Sequence, residues 1–183
     1  MDLLNAVNRI LPKLGEHTIT SLSSKSPTLD ILLPLIDETI KRLTIQGWWF
    51  NTHKTTLYTN TAGEISVDGT ALSFVADDYV CSNRAGKLHN TADNTYIWDA
   101  AVSGTMIYFV PFNELPESVA QWVFYTALSE AFVTDIGVTN EAQAWLSEVA
   151  PAEGRVLSEH LRNKRYTTQN SRRYGRIRRA MRA

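Results

Sequence analysis

The chain has a single cysteine, Cys81, so no internal disulfide can form and folding needs no oxidising compartment. Long hydrophobic runs are absent too. The longest, such as Met106 to Val110, fall far short of the roughly 20 residues that cross a bilayer, and no membrane anchor is expected. The opening MDLLNAVNRI has an acid at position 2 and no basic stretch before its apolar residues, so it reads as the start of a helix and not as a secretory signal. The nine glycines are single and sit near element ends, which excludes a phosphate loop or a dinucleotide fingerprint. His17, His53, His89 and His160 are scattered, with no helical ligand spacing and no second cysteine; neither a metal nor any other cofactor is expected. Asp77 and Asp78 would face opposite ways on a strand, and Cys81 lies in no nucleophile motif. These absences argue against an enzyme.

What is present is an ordinary globular composition, 44% hydrophobic and 20% charged over 183 residues. The net charge of −1 hides an asymmetry. From Arg162 to the C-terminus there are nine basic residues and no acid, so the preceding 161 residues carry nine bases, all 19 acids and a balance of −10. The chain is an acidic body with a basic C-terminal segment.

Apolar periodicity predicts helices at both ends and strands between them. Residues 2–14 carry Leu3, Leu4, Val7, Ile10, Leu11 and Leu14 at spacings of three and four, closed by Gly15, with Pro12 weakening the last turn. A second helix starts at Ser26-Pro27, bears Leu29, Leu32, Leu33, Ile36, Ile40 and Leu43, and ends at Gly47; Pro34 should kink it. From Trp48 to Pro111 the pattern is β: strands at 48–59, 64–67, 70–75, 79–82, 86–89, 95–98 and 105–111, with Asp68-Gly69 as a hairpin turn and 90–94 and 100–104 as further turns. A third helix follows Pro116 and is apolar around most of its circumference, and Gly137 stops it. A fourth starts with Asn140 and Gln143 as a capping box and carries Trp145, Leu146, Val149, Ala152, Val156, Leu157 and Leu161, with a kink at Pro151. The expected fold class is α+β: a helical bundle from both chain ends (1–47 plus 113–165), an inserted antiparallel β lobe (48–112), and an extended basic C-terminal tail (166–183).

Three words in this order carry a resemblance. They are Ala6-Val7-Asn8-Arg9-Ile10-Leu11 with Leu14-Gly15-Glu16, then Gly47-Trp48-Trp49-Phe50-Asn51, then Glu114-Leu115-Pro116-Glu117 with Gln121-Trp122-Val123. Together, over roughly residues 3–160, the chain resembles the tail tubular protein A family of T7-like short-tailed bacteriophages. The resemblance implies a virion protein assembled in the host cytoplasm. It implies a head-to-tail adaptor that forms a ring of about twelve copies between the portal protein and a tail nozzle of the tail tubular protein B type. Such a ring continues the channel for ejected viral DNA without reading its sequence. Ring contacts that close head-to-tail need two different faces per subunit.

The C-terminal segment supplies the candidate partner-binding residues Arg172, Arg173, Tyr174, Arg176, Ile177, Arg178, Arg179, Met181 and Arg182. Arginine pairs bidentately with carboxylates, and the three apolar side chains can fill small pockets, which fits docking on an acidic groove of the portal. Two other functions compete with the adaptor. A nucleic-acid-binding module would use the same arginines and lose affinity steeply with salt. A tail-associated hydrolase would need a convergent catalytic set, which the residues do not offer.

Overall fold

Asp2 and Pro12 set the limits of the first helix in the computed structural model, which describes residues 1–164. The Asp2 carboxylate accepts the Asn5 N–H at 2.7 Å and caps α1 (Leu3–Ile10). The predicted last turn tightens into a 3-10 turn, Leu11–Leu14, around Pro12 and closes on Gly15. Helix α2 (Pro27–Thr44) follows Ser26 and has proline at its first position, where the missing N–H costs no bond. It runs on through Pro34, which lies on its exposed side.

Helix α3 (Glu117–Asp135) is the buried centre of the helical part, with Val119, Trp122, Val123, Ala127, Leu128 and Phe132 all inside. Helix α4 (Asn140–Asn163) is capped one residue earlier than predicted, by Thr139, whose hydroxyl accepts the Ala142 N–H at 3.2 Å. It also continues through its proline, Pro151. Helix α3 packs against both α2 and α4. One hydrophobic core joins the two chain ends, drawing on Val7, Ile10, Leu32 and Ile36 from the first and Val123, Leu128 and Val156 from the second. Leu3 N–H also donates to the Asn113 side chain at 2.7 Å across 110 residues, and the Met1 amino group pairs with Glu117. That ammonium, bonded to the carboxylate, holds the Glu117 pKa below the usual value.

Between the helices, β1 (Thr52–Leu57), β5 (Val102–Tyr108) and β2 (Ala71–Ala76) form an antiparallel sheet in the order β1-β5-β2. Strands β3 (Cys81–Arg84) and β4 (Lys87–Asn90) form a separate hairpin. A second core of Ile65, Val67, Phe74, Leu88, Trp98, Val102 and Met106 lies within this region. The architecture is α+β, with the antiparallel strands between two pairs of helices.

Several strand expectations need correction. Asp68-Gly69 is not a hairpin turn, because Gly69 lacks the positive φ that such a turn requires. The Asp68 carboxylate instead accepts both the N–H (2.7 Å) and the hydroxyl (2.6 Å) of Thr70, and these bonds lower its pKa. The chain therefore turns outward, and residues 64–67 pair with the hairpin: Leu88 N–H donates to the Ile65 carbonyl and Val67 N–H to that of Gly86. The two-residue hairpin turn is Ala85-Gly86, with φ of 50° and 76°. Residues 102–104, expected as a turn, belong to β5, where Gly104 passes under Phe74 and Val75. Residues 48–51 turn before β1 begins at Thr52, and residues 95–98 make isolated bridges instead of a regular strand.

Candidate assembly surfaces

Trp48 and Asn51 fix the point where the helices meet the sheet. The Trp48 indole N–H donates to the Leu43 carbonyl at 2.8 Å, and its ring meets Trp122 edge-on at 5.6 Å between centroids. His160 of α4 closes the other side, 5.1 Å from Trp48 and 6.0 Å from Trp49. Burial against these rings, then the nearby Lys164 charge, lowers the His160 pKa. The aromatic pair is thus occupied in packing, as expected of a helix-to-strand junction.

Of the residues weighed for catalysis, Cys81 and His89 stand one register step apart on the paired strands β3 and β4, where alternation sends their side chains to opposite faces. Asp77 pairs with Lys54 at 2.6 Å on the sheet surface, and Asp78 is exposed beside it. Cys81 begins β3, while His89 is buried against Tyr96 with centroids 4.8 Å apart. Among the described residues, no group of three or more His, Cys, Asp or Glu side chains could hold a metal ion. No helix among them is long and apolar enough to cross a membrane.

Two surfaces on the helices are chemically distinct. The first is a groove of about 340 Å³ between the start of α2 and the end of α3. Leu14, Ile31, Leu35 and Ala131 give it apolar walls, Glu16 and Asp135 stand on its lining, and no lysine or arginine lines it. Ile31 is 69% exposed there, and the Thr28 hydroxyl donates to Glu16 at 3.2 Å.

The second surface is the outer side of α4. The sequence placed Leu146, Leu157 and Leu161 with the inward stripe, but these three are exposed, while Ala142, Ala152 and Val156 face the core. A helix turns 100° per residue, so these apolar positions form one broad arc, with Leu146, Leu157 and Leu161 on its outer flank. The width of that arc, about half the helix circumference, was readable in the sequence. Ile31 carried a similar signal, being an isoleucine outside the α2 stripe.

The tail positions Arg172, Arg173, Tyr174, Arg176, Ile177, Arg178, Arg179, Met181 and Arg182 lie outside the described residues. What surrounds them is read from sequence alone.

Comparison with known proteins places the chain in a family. The sequence profile of the tail tubular protein family matches residues 4–166. The chain belongs to the tail tubular protein family. It is also similar to tail tubular protein A of Klebsiella phage KP34, at 27% identity over 182 residues that cover 98% of each chain. As a tail tubular protein it is a structural component of a bacteriophage tail and so of the virion. The family match spans both helical ends and the strands between them, so membership does not rest on one motif.

Proposed function

We propose that this tail tubular protein is the head-to-tail adaptor of a short-tailed phage. About twelve copies close into a ring by head-to-tail contacts between the portal and the tail nozzle, and the ring continues the DNA channel. The observation that carries the proposal is the similarity to tail tubular protein A of Klebsiella phage KP34 over 98% of each chain. Two features of the molecule support it. The helical part bears two unlike surfaces, as a heterologous contact needs. The balance of −10 over the first 161 residues suits a conduit wall, since each phosphate neutralised by the wall would add salt-dependent affinity and hinder passage.

In this proposal the arginine-rich C-terminal segment docks on an acidic groove of the portal, with Tyr174, Ile177 and Met181 as apolar anchors. A second reading assigns the same arginines to non-specific DNA binding.

Native mass spectrometry of the full chain, with and without purified portal, tests the adaptor proposal. A ring-sized species, alone or on portal, is the expected result. A monomer indifferent to portal would overturn it. Deleting residues 168–183 then separates the roles of the segment: portal binding should fall sharply, and undiminished binding would sink the docking idea. A salt-dependent DNA shift lost on deletion would favour the second reading.

A further inference from the structure

Repeated head-to-tail contact requires that one surface of each copy fit a different surface of the next. The groove beside Ile31 is apolar within and acidic at its lining, with Glu16 and Asp135 present and no basic side chain to balance them. The C-terminal half of α4 has the opposite character. Leu157 and Leu161 are 49% and 43% exposed, Lys164 is exposed on the same side, and Arg162 is exposed on its flank. Of the two acids in this half, Glu159 is turned inward and accepts the Ser118 hydroxyl, and Glu153 is exposed one turn before Leu157. Gly154 and Ser158 are exposed on the same side of the helix, so a partner backbone can come close.

Position and length also agree. The groove lies where α3 ends, at Ala131 and Asp135, whereas the α4 surface lies where α3 begins, at Ser118. One copy therefore presents the two surfaces at opposite ends of α3. The α2 wall from Pro27 to Leu35 is about 12 Å long and α4 from Gly154 to Lys164 about 15 Å, at 1.5 Å per residue.

We infer that residues Gly154–Lys164 of one copy seat in the Ile31–Asp135 groove of the next copy, an inference that rests on the ring reading above. Leu157 and Leu161 cover Ile31 and Leu35, and Arg162 and Lys164 meet Glu16 and Asp135. Apolar contact holds the pair, while the opposed charges set its direction and disfavour groove-to-groove or helix-to-helix pairing.

The test uses full-length chain with portal and two readouts. In the first, native masses are compared for wild type, Ile31→Glu, and the double variant Leu157→Glu with Leu161→Glu. All three positions are exposed, so circular dichroism melts should match wild type. Each variant should lose the ring-sized species that wild type forms. In the second, Cys81→Ser removes the native thiol, and Ile31→Cys with Leu157→Cys is treated with a short bis-maleimide. Chains carrying both cysteines should give a ladder of linked multimers, and chains with either one alone should give none. Wild-type rings with variants that assemble normally, or with no ladder, would overturn this pairing and leave the ring standing. A wild type that stays monomeric on portal would overturn the ring reading and this inference together.

Discussion

The Asn51 side-chain amide donates to the Tyr108 carbonyl at 3.0 Å, and the Tyr108 backbone N–H returns a bond to the Asn51 carbonyl at 2.9 Å. The same amide donates to the Thr44 carbonyl at 3.1 Å, and its oxygen accepts the Trp48 N–H at 2.7 Å. One fully buried side chain thereby ties the end of α2, the turn after it and the end of β5. Replacing Asn51 by alanine leaves three buried backbone groups without this partner. Since each such group costs about 1–3 kcal/mol and neighbouring losses do not add fully, Asn51→Ala should lose about 2–4 kcal/mol in urea unfolding. A loss below about 1 kcal/mol would mean the junction is held by its backbone bonds alone.

Gly104 is constrained by space and not by φ. A Cβ there would lie 2.5 Å from the Val75 carbonyl oxygen and 2.6 Å from the Phe74 ring. Backbone cannot yield as a flexible side-chain end can, so Gly104→Ala should cost about 2 kcal/mol or more and loosen β2 from β5. Limited proteolysis between residues 71 and 108 would report it, and an unchanged cleavage rate would contradict the close approach.

The Ala85-Gly86 turn makes the reverse prediction. Ala85 holds φ of 50°, a region costly for alanine but tolerated by asparagine. Ala85→Asn creates Asn-Gly, the preferred pair for this turn, and should stabilise the protein by about 0.5–1 kcal/mol in thermal melts. Gly86→Ala should destabilise it by a similar amount.

His160 gives a pH dependence of defined sign. Its pKa in the folded chain lies below the unfolded value of about 6.5, because burial against Trp48 and Trp49 and the Lys164 charge oppose protonation. The unfolded chain thus binds the proton more tightly. The neutral imidazole's contribution is fully present above about pH 6.5, declines as pH falls, and is gone below the folded pKa. Melting curves from pH 7.5 to 5 should show His160→Phe losing less stability than wild type, with parallel curves refuting the assignment.

The Arg42–Glu130 ion pair joins α2 to α3 but is largely exposed. Arg42→Ala and Glu130→Ala should each change stability by less than about 1 kcal/mol. A double-mutant cycle would detect any larger coupling.

The helices were legible because one buried stripe recurs at helical spacing and Asp2, Ser26-Pro27, Gly15 and Gly137 punctuate it. Strand order was not legible. Residues 64–67 and 70–75 alternate like a hairpin, yet the Asp68 side chain turns the chain away, and pairing with Gly86 and Leu88 is decided by tertiary packing. The groove was hidden for a related reason: Leu14, Ile31 and Ala131 come from three separated segments, and no local window contains them. On α4 the information was present in the width of the apolar arc, whose outer flank the core leaves uncovered.

The core shared by the two chain ends has a consequence for synthesis. Val7, Ile10, Leu32 and Ile36 are cast in the first fifth of the chain, but their cover on α3 is complete only at Asp135. At about 5–20 residues per second, the ribosome leaves those side chains without their partners for on the order of 5–20 s after α2 has been made. The contiguous strands from Thr52 to Tyr108 emerge during that interval, with their own core in place before the helices can close. Nascent chains stalled before α3 should therefore attract holdase chaperones to their first two helices, and release them once α3 clears the tunnel.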